Sequence, residues 1–234
     1  FQEYINLPLF QQLLADKSPR YIHLDSALTG DRYGIASCTC ISRDIYDSMT
    51  ESVISRRFFV NDFSIGLEAG SADGMPASVI AKFLIWLREQ GYPIALITGD
   101  KPATTSIIPE LKIAKFKTEY LSVDVDRSPY ITLKQRINSG EFLGTNNRVL
   151  IKELYNLLDT GEKIDHPQKN PADGSKGSKD IADAIAGSFF SCFNKMAPSS
   201  VPKSVEFATK MVEERKRQGV YRGRSNSSIY SRIL

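Results

Sequence analysis

The chain has 234 residues, of which 41% are hydrophobic and 24% charged, and its formal net charge is +3. This length allows one large domain or two small ones with a substantial core, and the composition is that of an ordinary globular protein. The small net charge does not by itself imply a nucleic-acid partner, and no apolar run approaches the roughly 20 residues that a membrane-spanning helix needs.

The first third of the chain predicts an antiparallel meander preceded by a short helix. The turn signal Thr29-Gly30-Asp31 separates two alternating apolar segments, which predicts a β-hairpin. The next β segment is predicted to break near Asn61. The predicted elements are an amphipathic helix at residues 4–15 and strands at 21–25, 33–41 and 57–67. The first of these strands ends in an acid, Asp25.

After residue 70 the hydrophobic pattern changes to helical spacing and then alternates between helices and strands. The predicted elements are a helix across residues 79–87, a strand at 92–98, a helix at 104–111, a strand at 115–123 and helices at 131–139 and 149–158. Asp100 ends the buried strand at 92–98. A long polar loop at 161–177 then leads to another helix near residue 180. A meander followed by this alternation predicts a mixed α/β or α+β fold.

The chain divides by composition into three segments. Residues 1–17 form a lead-in, residues 18–196 a single domain, and residues 197–234 a charged helix followed by a basic, Ser-rich tail. The chain begins with Phe1 rather than Met, which predicts a fragment of a longer protein, and no signal peptide is visible.

The chain contains only three cysteines and two histidines. Cys38 and Cys40 lie in one predicted strand, and Cys192 lies far along the chain. The absence of a second Cys pair argues against a zinc site, and the low cysteine count argues against a disulfide scaffold. A reducing compartment is the natural interpretation.

Four acids indicate a site for a hard metal ion. Asp180 and Asp183 lie three residues apart at the start of a predicted helix and therefore share one helix face. Two carboxylates this close repel each other unless they are solvated or a cation lies between them. Asp25 and Asp100 each end a predicted strand, where ligands of open α/β sheets tend to bind. Carboxylates are suitable ligands for Mg²⁺.

Each acid also has a simpler interpretation. Asp25 and Asp100 could stabilise turns, and Asp180 could cap its helix. Asp183 lies inside the first turn and has less reason to cap, so it is the stronger candidate ligand. With two Mg²⁺ or Mn²⁺ ions, such a cluster could hydrolyse a phosphodiester.

Four segments together resemble the nuclease domain of the large terminase subunit of tailed bacteriophages. They are the first acidic strand with its hairpin at residues 21–36, the second acidic strand at 91–100, the segment at 120–134, and the loop and helix at 164–184. Their order and spacing agree with that family over roughly residues 18–190.

This resemblance implies an α/β fold, namely an RNase H-like mixed sheet of an antiparallel meander plus parallel strands flanked by helices. It implies a metal-dependent endonuclease that cuts concatemeric double-stranded viral DNA during genome packaging. Asp25, Asp100 and Asp183, with Asp180 assisting, would hold two Mg²⁺ or Mn²⁺ ions. Lys101, Arg222 and Arg224 would contact DNA phosphates.

The resemblance also implies partners. They are double-stranded DNA, a packaging ATPase domain of the same full-length protein, the portal and the small terminase subunit, with no membrane involved. The implied location is the packaging motor in the host cell cytoplasm, outside the mature virion. The chain lacks the Gly-x-x-x-x-Gly-Lys-Ser/Thr motif of a packaging ATPase.

The chain departs from the family at two places. Ser178 and Lys179 stand where members often have a histidine or an Asp-Asp pair, and residues 101–106 differ from the usual sequence after the second acid. The first departure leaves open whether Asp180, Asp183 or both bind metal. Two alternative functions also stay open: another RNase H-like nuclease, such as a junction resolvase or a transposase core, or a non-catalytic DNA-binding or portal-docking module.

Overall fold

The computed structural model describes residues 8–26, 32–68, 76–100, 104–125, 127–169, 171 and 174–196. Its helices are α1 (Pro8–Ala15), α2 (Ala77–Glu89), α3 (Ile107–Ile113), α4 (Ser128–Asn138), α5 (Arg148–Tyr155) and α6 (Asp180–Met196). Its strands are β1 (Arg20–Ser26), β2 (Arg32–Asp47), β3 (Ser52–Glu68), β4 (Ile94–Gly99), β5 (Thr118–Tyr120), β6 (Phe142–Leu143), β7 (Leu158–Asp159) and β8 (Ile164–Asp165). The described residues as far as Asn194 belong to one compact unit.

Six strands form one mixed sheet in the order β5-β4-β1-β2-β3-β6, and β7 and β8 form a separate antiparallel pair. β1, β2 and β3 pair antiparallel, whereas β4 runs parallel to β1 and to β5, and β6 runs parallel to β3. The predicted meander and the parallel strands therefore belong to one sheet, and the predicted fold class is confirmed.

Helices pack on both faces of this sheet, and alternate side chains of β1 contact different helices. Ile22 and Leu24 lie in a core cluster with Leu84 of α2 and Leu111 of α3. The intervening residue His23 faces α6 on the opposite side. Side chains on a strand alternate in direction, so Asp25 shares the α6 face with His23.

Small residues let α6 approach the sheet closely. A Cβ atom added to Gly34 of β2 would lie 2.1 Å from the Asp180 carbonyl oxygen and 3.2 Å from the Ala184 Cβ atom. A Cβ atom added to Gly187 of α6 would lie 2.3 Å from the His23 ring. Glycine on both elements therefore fixes the distance between α6 and β1–β2.

We expect Gly34→Ala to destabilise the protein by about 1–3 kcal/mol, since the added methyl group must displace the first turn of α6. Urea unfolding would measure the change. Gly144→Ala is the matched control, because the nearest atom to its added Cβ belongs to the Phe142 ring and lies at 3.3 Å. Equal stability of the Gly34→Ala variant and the wild type would show that α6 is not held against β2 as described.

The predicted break near Asn61 is a β-bulge within one continuous strand. Ser37 pairs with Phe63 and Cys38 with Asn61, which leaves Asp62 as the extra residue of β3. The Asp62 carboxylate accepts hydrogen bonds from Arg20 Nε at 2.8 Å and from the Tyr92 hydroxyl at 2.6 Å. The bulge thus aims a charged side chain at a buried arginine.

Several other predicted elements have different bounds. The strand predicted at 115–123 contains only the three residues of β5, and the two-residue β6 has no signal in the sequence. β2 and β3 continue together beyond the sheet as a two-stranded ribbon, where Tyr46 and Val53 are opposite each other and exposed. The predicted linker, the charged helix and the basic tail at 197–234 lie outside the described residues. Among the described helices, none is both long and apolar enough to pass through a bilayer.

His23 lies fully buried in the layer between β1 and α6. Its Nδ1 atom is 2.8 Å from the Thr98 hydroxyl oxygen, and burial lowers the pKa of the imidazole to about 3 from its usual 6.5. The histidine is therefore neutral in the folded protein, as expected for a packed sheet residue.

This buried histidine predicts a loss of stability in mild acid. The unfolded chain binds a proton near pH 6.5, whereas the folded protein resists protonation until about pH 3, so stability falls as the pH drops through this window. Because of His23, we expect the free energy of unfolding of the wild type to fall by about 1.4 kcal/mol between neutral pH and about pH 5.5. Urea unfolding of the wild type and of His23→Asn at both pH values would measure this fall. Equal losses in the two proteins would contradict this assignment.

Candidate functional site

The two acids at strand ends lie side by side in the sheet. Leu24 of β1 pairs in parallel with Gly99 of β4, and each is followed by an aspartate, Asp25 and Asp100. The carboxyl ends of β1 and β4 therefore bring the two residues to adjacent backbone positions. The Asp100 carbonyl oxygen also accepts a hydrogen bond from Thr104 N at 3.0 Å, which continues the chain towards α3.

The start of α6 lies over the same end of the sheet. Asp25 of β1 is paired with Gly34 on the neighbouring strand β2, and the Asp180 backbone packs against Gly34. Asp183 follows one helical turn later and is buried. The fold thus brings Asp25 into one region with Asp180 and Asp183, although Asp25 precedes both by about 155 positions in the sequence.

The electrostatics of this region are those of crowded carboxylates. Burial raises the pKa of Asp25 well above its usual value, and the charges of Asp183 and Asp180 raise it further. Burial likewise raises the pKa of Asp183 to about 7, although Lys179 opposes the shift. The negative charges therefore destabilise one another unless a cation compensates them.

One such cation belongs to the chain itself. Lys179 Nζ lies 2.9 Å from Asp183 Oδ2 and also forms an ion pair with Asp124. Burial alone would lower the pKa of Lys179, but the Asp183 and Asp124 carboxylates raise it instead. The Tyr130 hydroxyl donates to Asp183 Oδ1, so both oxygens of Asp183 have partners from the chain.

A second buried carboxylate supports the start of α6. Glu153 of α5 accepts a hydrogen bond from Ala182 N through Oε2 at 2.9 Å. The Ser178 hydroxyl lies 3.1 Å from Glu153 Oε1 and 2.8 Å from Asp180 Oδ2, and so lies between the two carboxylates. Glu153 thus caps a backbone amide of the first turn of α6 from a neighbouring helix.

Glu153 belongs to this region without any signal in the sequence that points to it. Glu153 lies on an amphipathic helix, where an acid usually faces solvent. Tyr130, Lys179 and Asp124 stand in segments that carry the family resemblance, but no role is predicted for any of them. The pairing of Lys179 with Asp124 joins residues 55 positions apart and has no local sequence pattern.

Among the described residues, no three Asp, Glu, His or Cys side chains are arranged so that they could hold a metal ion. The donor set nevertheless fits a hard divalent cation in its chemistry, because it consists of carboxylates and because burial raises the pKa of Asp25 and of Asp183. Asp25 at the end of β1 and Asp180 at the start of α6 contribute carboxylates to this donor set, whereas the Asp183 carboxylate forms an ion pair with Lys179. The residues therefore suit Mg²⁺ or Mn²⁺ by charge and donor type.

The predicted DNA contacts lie outside the described residues. Lys101 belongs to the segment 101–103, and Arg222 and Arg224 belong to the tail. The roles assigned to these three residues, and the ligand roles of Asp25, Asp100, Asp180 and Asp183, stay predictions.

Comparison with known proteins gives a consistent result for the fold. No known protein family and no curated protein matches the sequence. The structure is similar to the large terminase of a thermophilic bacteriophage, with a TM-score of 0.50 and 10% identity over 74% of this chain and 38% of that chain. For the large terminase of bacteriophage HK97, the TM-score is 0.49 and the identity 10%, over 77% of this chain and 42% of that chain.

A third similar structure is the large terminase nuclease of another thermophilic phage, G20c, with bound cobalt. Its TM-score is 0.47 and its identity 16%, over 74% of this chain and 81% of that chain. The chain thus spans about two fifths of the first two large terminases and most of the G20c nuclease.

At these identities the similarity is one of fold. The six-stranded mixed sheet flanked by helices is an RNase H-like fold. Within that class, the structure is similar to the large terminase with the TM-score of 0.50, so the predicted resemblance is confirmed at the level of fold.

Proposed function

We propose that this chain is the nuclease domain of a viral large terminase, a metal-dependent endonuclease that cuts concatemeric double-stranded DNA during genome packaging. The observation that carries this proposal is the convergence of Asp25, Asp100 and the first turn of α6 at one end of an RNase H-like sheet. A fold of this kind supports several functions, so the acidic site supplies the argument for chemistry.

The acids would serve as ligands. Asp25, Asp100 and Asp183, with Asp180 assisting, would hold two Mg²⁺ or Mn²⁺ ions. When bound, these ions supply Lewis-acid stabilisation of the phosphodiester and make water a better nucleophile. Without cations the same carboxylates would repel a DNA phosphate at this point, so metal is required for the reaction.

The chain's own residues position these ligands. The sheet fixes Asp25 and Asp100 because both follow paired strand residues. Tyr130 and Lys179 hold the Asp183 carboxylate in place from both oxygens. Little base specificity is expected from such a site, because it addresses the phosphate backbone rather than the base edges.

The partners follow from the same proposal. They are double-stranded DNA, a packaging ATPase domain of the same full-length protein, the portal and the small terminase subunit. The proposed place of action is the packaging motor in the host cell cytoplasm, outside the mature virion.

Plasmid cleavage tests the proposed activity. We expect conversion of supercoiled plasmid to open-circular and linear DNA with Mn²⁺ or Mg²⁺, and none with EDTA. A linear duplex and a four-way junction should be compared in the same assay, since preference for the junction would instead support a resolvase.

The engagement of Asp183 by Lys179 favours one other function, a non-catalytic DNA-binding or portal-docking module. This alternative predicts duplex binding without cleavage at every divalent ion concentration. Such a result would reject the endonuclease proposal.

A further inference from the structure

A cleft of about 340 Å³ lies beside the acidic site and has a different charge. Its cationic side chains are Arg32 at the start of β2, Lys152 of α5 and Lys176 of the loop before α6, and its acid is Glu153. Glu153 also accepts hydrogen bonds from Ala182 N and the Ser178 hydroxyl, so its charge is partly compensated from α6. Among the described residues that line it, cations therefore outnumber acids three to one.

The cleft is continuous with the acidic site. Ser178 lines the cleft, and its hydroxyl oxygen is 2.8 Å from Asp180 Oδ2. Two adjacent surfaces of opposite charge thus meet at Ser178. Because an acidic site repels DNA, a cationic surface next to it is needed to hold the strand there.

The described residues at the two ends of the loop before α6 contact each other beside the cleft. A Cβ atom at Gly177 would lie 1.7 Å from the Pro167 carbonyl oxygen, so the two ends of the loop touch at a position that only glycine fits. Gly177 N donates to the Gln168 carbonyl oxygen at 3.0 Å, and Lys169 and Lys176 form a β-bridge. Lys176 is therefore carried by a closed loop and not by a free chain segment.

The cations of the cleft can exchange their present partners for a phosphate. Arg32 pairs with Glu68 at 3.0 Å, but 74% of the Glu68 side chain is exposed, and pairs of this kind contribute little to stability. Lys152 Nζ lies 3.3 Å from the Ser175 hydroxyl, which is one of its contacts. A phosphate oxygen can accept a charge-assisted hydrogen bond from each of these two side chains.

We propose that this cleft, formed by Arg32, Lys152 and Lys176, binds a backbone phosphate of the DNA strand whose neighbouring phosphate lies at the acidic site. The proposal rests on the proposed nuclease function and adds the surface that holds its substrate. The charge of the cleft favours DNA over a protein partner, because three of its lining side chains are cationic and one is acidic, and a phosphate is the anion that DNA presents.

The test measures binding of a short labelled duplex by fluorescence anisotropy in EDTA, over a series of salt concentrations. The variant Arg32→Gln/Lys152→Gln/Lys176→Gln is compared with Lys82→Gln/Lys112→Gln/Lys117→Gln, which removes the same charge from exposed positions on α2, on α3 and just before β5. Circular dichroism and melting temperature confirm that each variant is folded.

We expect the cleft variant to bind duplex at least about tenfold more weakly, and the salt slope to fall by about 1 for each phosphate that is no longer bound. The control variant should bind as the wild type does. Equal binding by the cleft variant and the wild type, an equal loss in the control, or no duplex binding by the wild type would each overturn the proposal. Because EDTA prevents cleavage, these outcomes are separate from the plasmid assay, which tests the nuclease function.

Discussion

Asp25→Asn should reduce metal-dependent plasmid cleavage by about 10²–10³-fold or more, because a neutral amide replaces the carboxylate at the centre of the acidic site. Asp25 is the acid that the charges of both Asp180 and Asp183 affect, and it follows the strand pair that also places Asp100. Initial rates of plasmid conversion in Mn²⁺ would measure the effect. Asp44→Asn, at an exposed position in the β2–β3 ribbon, is the matched control and should cleave as the wild type does.

The melting temperature distinguishes a variant that has lost a metal ligand from a variant that has lost its fold. The pKa of Asp25 is raised in the folded protein, so its contribution to stability is present at low pH and is lost as the pH rises through the folded pKa. At neutral pH the charged form therefore opposes folding, and we expect metal-free Asp25→Asn to melt at or above the wild-type temperature. Undiminished cleavage by a folded Asp25→Asn protein would refute the assignment of this site.

Lys179→Met should destabilise the metal-free protein by about 3 kcal/mol, because it leaves the buried Asp183 carboxylate without its ion-pair partner. Equilibrium urea unfolding in EDTA at neutral pH would measure this loss. Mn²⁺ should restore part of the stability, since a divalent cation can compensate the same negative charges.

Two variants make this result specific. Lys163→Met removes the partner of Asp165 at a surface pair with a 2.6 Å contact, and should change stability by less than about 1 kcal/mol. The double variant Lys179→Met/Asp124→Asn removes one acid together with the lysine and should be more stable than Lys179→Met alone. If Lys179→Met matched the wild type in stability, Lys179 would not be the cation that compensates this site.

Local sequence patterns predict the order of the elements and the positions of the strand-ending acids. Alternating apolar residues in the first hairpin and the helical spacing near Val79 are such patterns, because strand and helix periodicities arise from the backbone itself. The predicted β1–β2 hairpin and α2 are confirmed, and Asp25 and Asp100 lie at the strand ends as their positions after apolar runs indicate.

The same local patterns fail where pairing between distant residues decides the result. The sequence around Asp62 predicts a strand break, but β3 continues through a bulge at Asp62 because it pairs with β2. The Asp62 carboxylate then accepts a hydrogen bond from Arg20. β5 is short because its pairing with β4 covers only Thr118–Tyr120, although its sequence is β-like on both sides. A single sequence does not record which neighbour a strand has, so strand ends set by pairing are not predictable from it.

The sequence by itself thus determined the order of the helices and strands and the acids on which the proposed chemistry depends, because both follow from residue types at local spacing, whereas the RNase H-like fold was implied by the family resemblance. Only the tertiary structure decided that Lys179 pairs with Asp124 and Asp183, that Glu153 caps α6, and that three cations form a cleft beside Ser178. These contacts join residues that are far apart in the sequence and that come together only because α6 packs on the sheet. Charges interact through space, so a sequence pattern does not reveal such pairs.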